Sequence, residues 1–261
     1  MQTAAYGRGL CLIFTLWMTG SRPPTVIAPR SPDSSLWWNQ ASTHIDHDAL
    51  RFRNAGDFHG AEELYRQGYR EAVRIGDKLA AVRYLMSVGG CQFIGYHYRD
   101  ALSTFLQARD LAEAMGDRQD LGAIAINLSS LYLQVWDVPA ATRAAAEGLR
   151  AESPRTANGK PRHSYFEASL LVQLGRLHAL LGDGRAQQDY AAGIEAARAQ
   201  ENARTIEAIG WDLSGEEYLA AENFAGAERA FLEAFRLRTL FNAAEIGLSY
   251  GRLGTLELAQ G

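Results

Sequence analysis

The chain has 261 residues, 47% of them hydrophobic and 21% charged, with a formal net charge of −4. This composition excludes a wholly disordered chain, because ample apolar surface is available for burial. The interspersed mixture of 26 basic and 30 acidic residues excludes the basic stripe of a nucleic-acid binder, and two cysteines, Cys11 and Cys91, exclude a disulfide framework.

At the N-terminus, Arg8 precedes an apolar run from Leu10 to Met18, and Gly20 and Ser21 follow. That is the outline of a secretory signal peptide. The run is shorter than the ~20 residues a bilayer requires, so no stable membrane span is expected. Residues 1–21 read as a signal peptide or as a plain N-terminal tail, and an exported or periplasmic location is preferred to a cytoplasmic one. Residues 22–43 are rich in Pro and Ser and read as a linker. Folded structure is expected from His44. There His44, Asp46, His47 and Asp48 suggest a metal cluster, but no further imidazole or thiolate stands at ligand spacing, and Asp46 reads equally well as a helix N-cap. No metal and no cofactor is expected.

Beyond His44 the chain repeats. The stretch "NAGDFHGAEELYRQGYREAVRIGD" aligns with "IGYHYRDALSTFLQARDLAEAMGD", matching Ala61 with Ala101, Tyr65 with Phe105 and Gly76-Asp77 with Gly116-Asp117, forty residues apart throughout. Another forty residues bring Val138 and Ala141 of "VWDVPAATRAAAEGLRA" into the same places. A Pro/Gly-containing insertion, residues 152–163, lengthens one unit, after which the pattern returns with Ala186 and Tyr190 and again with Phe224, Ala227 and Phe231. Each unit has an apolar first half at helical spacing, in which Gly89, Ser129, Gly175, Gly215 and Gly254 share one register. Glycine costs ~1 kcal/mol in a helix interior, so its recurrence there predicts close approach of two helices. Cys91 falls in the apolar register and reads as a small core residue.

The best unit is "WDLSGEEYLAAENFAGAERAFLEAF", where Trp211, Gly215, Tyr218, Ala227 and Phe231 follow the pattern W-x2-L-G-x2-Y…A-x3-F, with Ser214 in place of Leu. "LLVQLGRLHALLGD" keeps Leu174-Gly175 but carries His178 for the tyrosine, and "NLSSLY" keeps Leu128 and Tyr132. These units resemble tetratricopeptide repeats. The repeat of about 34 residues is here lengthened to forty, as in kinesin light chains, G-protein-linked spindle adaptors and many bacterial signalling proteins. The resemblance covers residues 44–261. It implies an all-α, right-handed α-solenoid of helix hairpins, with about five full repeats and one unpaired final helix.

The resemblance further implies that the first helix of each hairpin lines a concave groove that takes a protein or peptide partner. Carried over residue by residue, the groove comprises Arg83, Met86, Gly90, Asn127, Ser130, Gln173, Arg176, Asp212 and Glu216. Asn127 resembles a groove asparagine that bonds the backbone of an extended peptide. The groove is expected to be basic and polar in its middle and acidic further on, suiting a mixed-charge segment.

No G-x-x-x-x-G-K-[ST], G-x-S-x-G or H-E-x-x-H stands in the sequence, and no catalytic residue is expected. Two functions compete. One is a non-catalytic interaction scaffold. The other is the recognition arm of a larger bacterial enzyme or signalling protein, for instance one with a caspase-like CHAT protease domain beyond residue 261. The array ends after a first helix with Leu253, Leu256 and Leu258 expected on an uncovered face, so self-association through that edge is a further expectation.

Overall fold

The computed structural model describes residues 36–152 and 164–260. The signal or tail reading of residues 1–21, much of the linker and the insertion past Glu152 lie outside the described residues. Eleven α-helices follow one another there: α1 Leu36–Asn54, α2 Phe58–Ile75, α3 Lys78–Ile94, α4 Tyr98–Met115, α5 Arg118–Gln134, α6 Val138–Glu152, α7 Tyr165–Leu181, α8 Ala186–Arg198, α9 Arg204–Ala220, α10 Phe224–Phe241 and α11 Ile246–Gln260. No strand occurs among the described residues, and none of these helices is long and apolar enough to cross a membrane.

The "GD" dipeptide explains how one hairpin passes to the next. Gly76 and Gly116 take left-handed conformations, at φ 79° and 68°, and close α2 and α4 with backbone bonds to the preceding turn. The following aspartates open the next helices. Asp77 accepts from the Ala80 N–H at 2.9 Å and Asp117 from the Asp120 N–H at 3.3 Å, which satisfies amide groups that have no partner inside the helix. Asp57, Asp137 and Asn223 cap the second helices α2, α6 and α10 in the same way. Ser164 and Glu167 form a reciprocal capping box at the start of α7.

The chain divides into two compact units, one ending at Gly116 and the other beginning at Asp117. In the first, α2 packs on α1 and α3, and α3 on α4. Its core joins Ala49, Tyr65, Ala72, Tyr84, Val88 and Cys91. Cys91 is the core residue its register predicts, and burial pushes its thiol up to about 11. In the second unit each helix from α5 to α11 packs on the next.

The small-residue register is the packing device within hairpins. A β-carbon on Gly89 would lie 2.5 Å from the Phe105 ring, on Gly175 2.6 Å from Tyr190, and on Gly215 2.5 Å from Phe231. Where Ser129 replaces glycine, the aromatic position on the facing helix carries Ala145, and both residues are fully buried. The volumes exchange so that the interior stays filled.

Two expectations need correction. Helix α1 begins at Leu36, upstream of His44, and runs through Asp46. Asp46 is therefore a mid-helix residue and no N-cap. At the other end Leu256 is buried against Ala227 and Phe231, and Leu253 packs on the same cluster, because α11 turns this side toward α10. Only Leu258 of the three leucines is open, at 86% exposure.

Candidate functional site

In the second unit the first helices lie side by side. Helix α7 packs on α5 and on α9, and α9 on α11. Asn127 and Ser130 stand on α5, Gln173 and Arg176 on α7, and Asp212 and Glu216 on α9. Relative to the small-residue register, Ser130, Arg176 and Glu216 come one residue after it, and Asn127, Gln173, Leu213 and Arg252 two residues before.

Two contacts use the same pair of register positions. Gln173 Nε2 donates to Ser130 Oγ at 3.2 Å, tying α7 to α5. The Arg252 guanidinium pairs with the Glu216 carboxylate, tying α11 to α9. In each case the earlier position of one first helix reaches the later position of the first helix before it. Between these two bridges the register sets Leu213 opposite Arg176, and a leucine offers no polar partner. No carboxylate among the described residues lies within ion-pair reach of Arg176, which is half-buried. Burial lowers the pKa of its guanidinium, Glu216 and Tyr190 oppose that shift at longer range, and Arg252 adds to it. Glu216 is held above the usual carboxylate range chiefly by burial, against the pull of Arg252. Asn127 is half-buried, and its carboxamide has no hydrogen-bond partner among the described residues.

The structure thus brings Asn127, Ser130, Gln173, Arg176 and Glu216 onto neighbouring helices of one unit. Gln173 is only 3% exposed and serves mainly as the bridge. Asp212 does not belong to an open surface. It is buried and bonded by both terminal nitrogens of Arg238, which is itself buried and also donates to Ser249 Oγ at 2.9 Å. Asp212, one of the two acids expected at that end of the groove, is therefore neutralised inside the fold. Arg83, Met86 and Gly90 stand on α3 of the first unit: Arg83 is exposed, Met86 half-buried, and a β-carbon on Gly90 would meet nothing.

The sequence reading omitted Arg252, although counting two residues back from Gly254 marks it. His178, at the tyrosine position of its repeat, is buried with Nδ1 hydrogen-bonded to Asp189 on α8. This contact is a tie within the hairpin. Of the stretch His44 to Asp48, the described side chains show an exposed His47–Asp48 contact at 3.8 Å.

No protein-family model and no curated protein matches the sequence. The crystal structure of BtubC (BKLC) from P. vanneervenii is similar to it, with a TM-score of 0.66 and 21% identity over 78% of this chain and 82% of that one. Forty-residue hairpins, glycine-to-aromatic packing and this likeness decide the architecture. The chain has the tetratricopeptide-repeat fold. A tetratricopeptide repeat protein from Parabacteroides merdae ATCC 43184 overlaps at a TM-score of 0.47 with 18% identity, covering 84% of this chain and 77% of its own. MamA overlaps at 0.46 with 17% identity, covering 73% and 94%. Within the tetratricopeptide-repeat frame, the surface built from α5, α7, α9 and α11 is the face of the first helices.

Proposed function

We propose that this tetratricopeptide-repeat protein is a non-catalytic scaffold that holds a segment of a protein partner against the first-helix face of its second unit. The observation that carries the reading is the half-buried Asn127, whose carboxamide makes no hydrogen bond among the described residues, beside a bridge whose members satisfy one another. A half-buried amide without a partner gains from a ligand that supplies one. A carboxamide offers both a donor and an acceptor and so can match the backbone of an extended segment.

Random dodecapeptides displayed on phage and selected on the purified chain test this. Binders are expected whose affinity falls about tenfold with Asn127→Ala, the loss of one or two hydrogen bonds. Failure to select any binder, or binders indifferent to that substitution, overturns the reading. Self-association is a separate proposal, resting on the exposed Tyr250 and Leu258 of α11. Light scattering checks it, and an unchanged monomer fraction after Tyr250→Ser with Leu258→Lys would remove it.

A further inference from the structure

Arg238 meets more negative charge than it can neutralise. Its two terminal nitrogens are taken by Asp212 on α9, and one of them also donates to Ser249 Oγ on α11. Its Nε faces a second carboxylate, Glu245, whose Oε2 lies 3.7 Å away. That is too far for a hydrogen bond, and Glu245 Oε1 is buried with no hydrogen-bond partner among the described residues. One guanidinium and two carboxylates thus share a site in which all three side chains are buried.

Glu245 closes the short helical turn Ala243–Glu245 that leads into α11. The turn that leads into α9, Glu201–Ala203, ends in a buried alanine instead, so this kind of junction can be built without a buried acid. Burial is the largest influence on the Glu245 carboxyl group, and Asp212 adds to it; together they hold its pKa above the ordinary 4.5 against the pull of Asn242 and Arg238.

From this surplus of buried acid we propose that Glu245 is a proton latch at the root of α11: with its carboxyl group protonated α11 is seated on α9 and α10, and loss of the proton loosens it. The protonated group asks no cation of Arg238, which Asp212 then neutralises alone, and it no longer repels Asp212. The ionised group leaves a buried charge without full compensation, a cost that is relieved when Glu245 and the first turn of α11 move toward water. A carboxyl group raised in the folded state stabilises it fully below the ordinary value, and that gain is lost as pH rises through the folded value. Helix α11 is therefore firmest in mild acid and opens more readily toward neutral pH. It also carries Arg252, so its opening takes the cation from Glu216. The latch is independent of what the scaffold binds.

Hydrogen exchange of the full chain tests this, read on the amides from Ser249 to Gln260 in wild type and in Glu245→Gln at each pH from neutral down to 4.5. Glutamine keeps the size of the side chain and cannot ionise, so it stands for the protonated group. At neutral pH these amides should exchange severalfold more slowly in the variant, because exchange there reports local opening. The difference should shrink as pH falls toward 4.5, and amides of α7 should not differ. Comparison at a single pH cancels the titration of Glu216 and Glu217, the other α9 carboxyl groups that burial raises. Equal exchange at every pH overturns the proposal. So does faster exchange in the variant, which would mean that Arg238 needs the second charge. Should the variant not fold, the carboxyl carbon resonance of Glu245 in the wild type, followed by NMR, decides instead: a midpoint above 4.5 supports the latch, and one at or below it removes the latch.

Discussion

The ring of Phe231 occupies the space in which Gly215 would carry a side chain: a β-carbon built there lies 2.5 Å from the ring's Cε1. At the equivalent position of α11, a β-carbon on Gly254 meets nothing within 4 Å. The same substitution should therefore act with opposite signs. Gly215→Ala is expected to destabilise by about 1–3 kcal/mol through overpacking, whereas Gly254→Ala should stabilise by up to about 1 kcal/mol through helix propensity alone. Urea denaturation of both variants checks this, and a loss of stability in each would refute it.

The hairpin turns hold a second stability reserve. Gly56 and Gly182 sit in the left-handed region at φ 80° and 65°, but Tyr96, Trp136 and Glu222 hold the same turn at φ 64°, 61° and 58°. A side chain in that region costs roughly 1–2 kcal/mol, part of which glycine gives back through its freer unfolded chain. Glu222→Gly, at an exposed position, should raise stability by about 0.5–1 kcal/mol. Thermal melting of that single variant is the test.

The buried pair of Arg238 and Asp212 ties α10 to α9 and, through Ser249, to α11. Arg238→Met leaves a carboxylate buried without its cation, which costs about 3–5 kcal/mol. The double variant Arg238→Met with Asp212→Leu should recover part of that loss, since an apolar pair needs no compensation while the buried Glu245, 3.7 Å from the Arg238 Nε, still lacks its cation. Hydrogen exchange in α11 should rise sharply in the single variant and return toward wild type in the double one.

Alkaline pH should weaken the first unit. Burial raises the Cys91 thiol from its ordinary 9.0 to about 11 and Tyr65 from 10.0 to about 12. Both groups are neutral in the folded state over a range where the unfolded chain ionises. Their stabilising effect is complete below the unfolded pKa and is lost as pH rises through the folded one. The Cys91 contribution, up to about 2 kcal/mol, should disappear between pH 9 and 11. In Cys91→Ala the decline between pH 9 and 10 should flatten, as followed by urea midpoints across that range; an unchanged slope would reject the assignment.

Much of this architecture is legible in residue spacing. Forty-residue periodicity, the "GD" junctions and the glycine register each act over one or two helical turns or between adjacent helices, so the local sequence suffices to specify them. The individual roles of groove residues were less legible. Asp212 and Glu216 look alike in sequence, about one helical turn apart on either side of Gly215, yet Asp212 is sealed against Arg238 and Glu216 meets Arg252. Leu256 reads as an open edge residue and is buried on α10.

The sequence by itself determined the helices, the junctions between hairpins and which face of each carries glycine or alanine, because these follow from backbone conformation and helical period. Only the tertiary structure decided which charges cancel and which remain. Pairing depends on how far one helix is displaced along its neighbour, and that displacement brings Arg252 to Glu216 and Gln173 to Ser130. A few ångströms of offset separate a neutralised side chain from an available one, and no single helix encodes them.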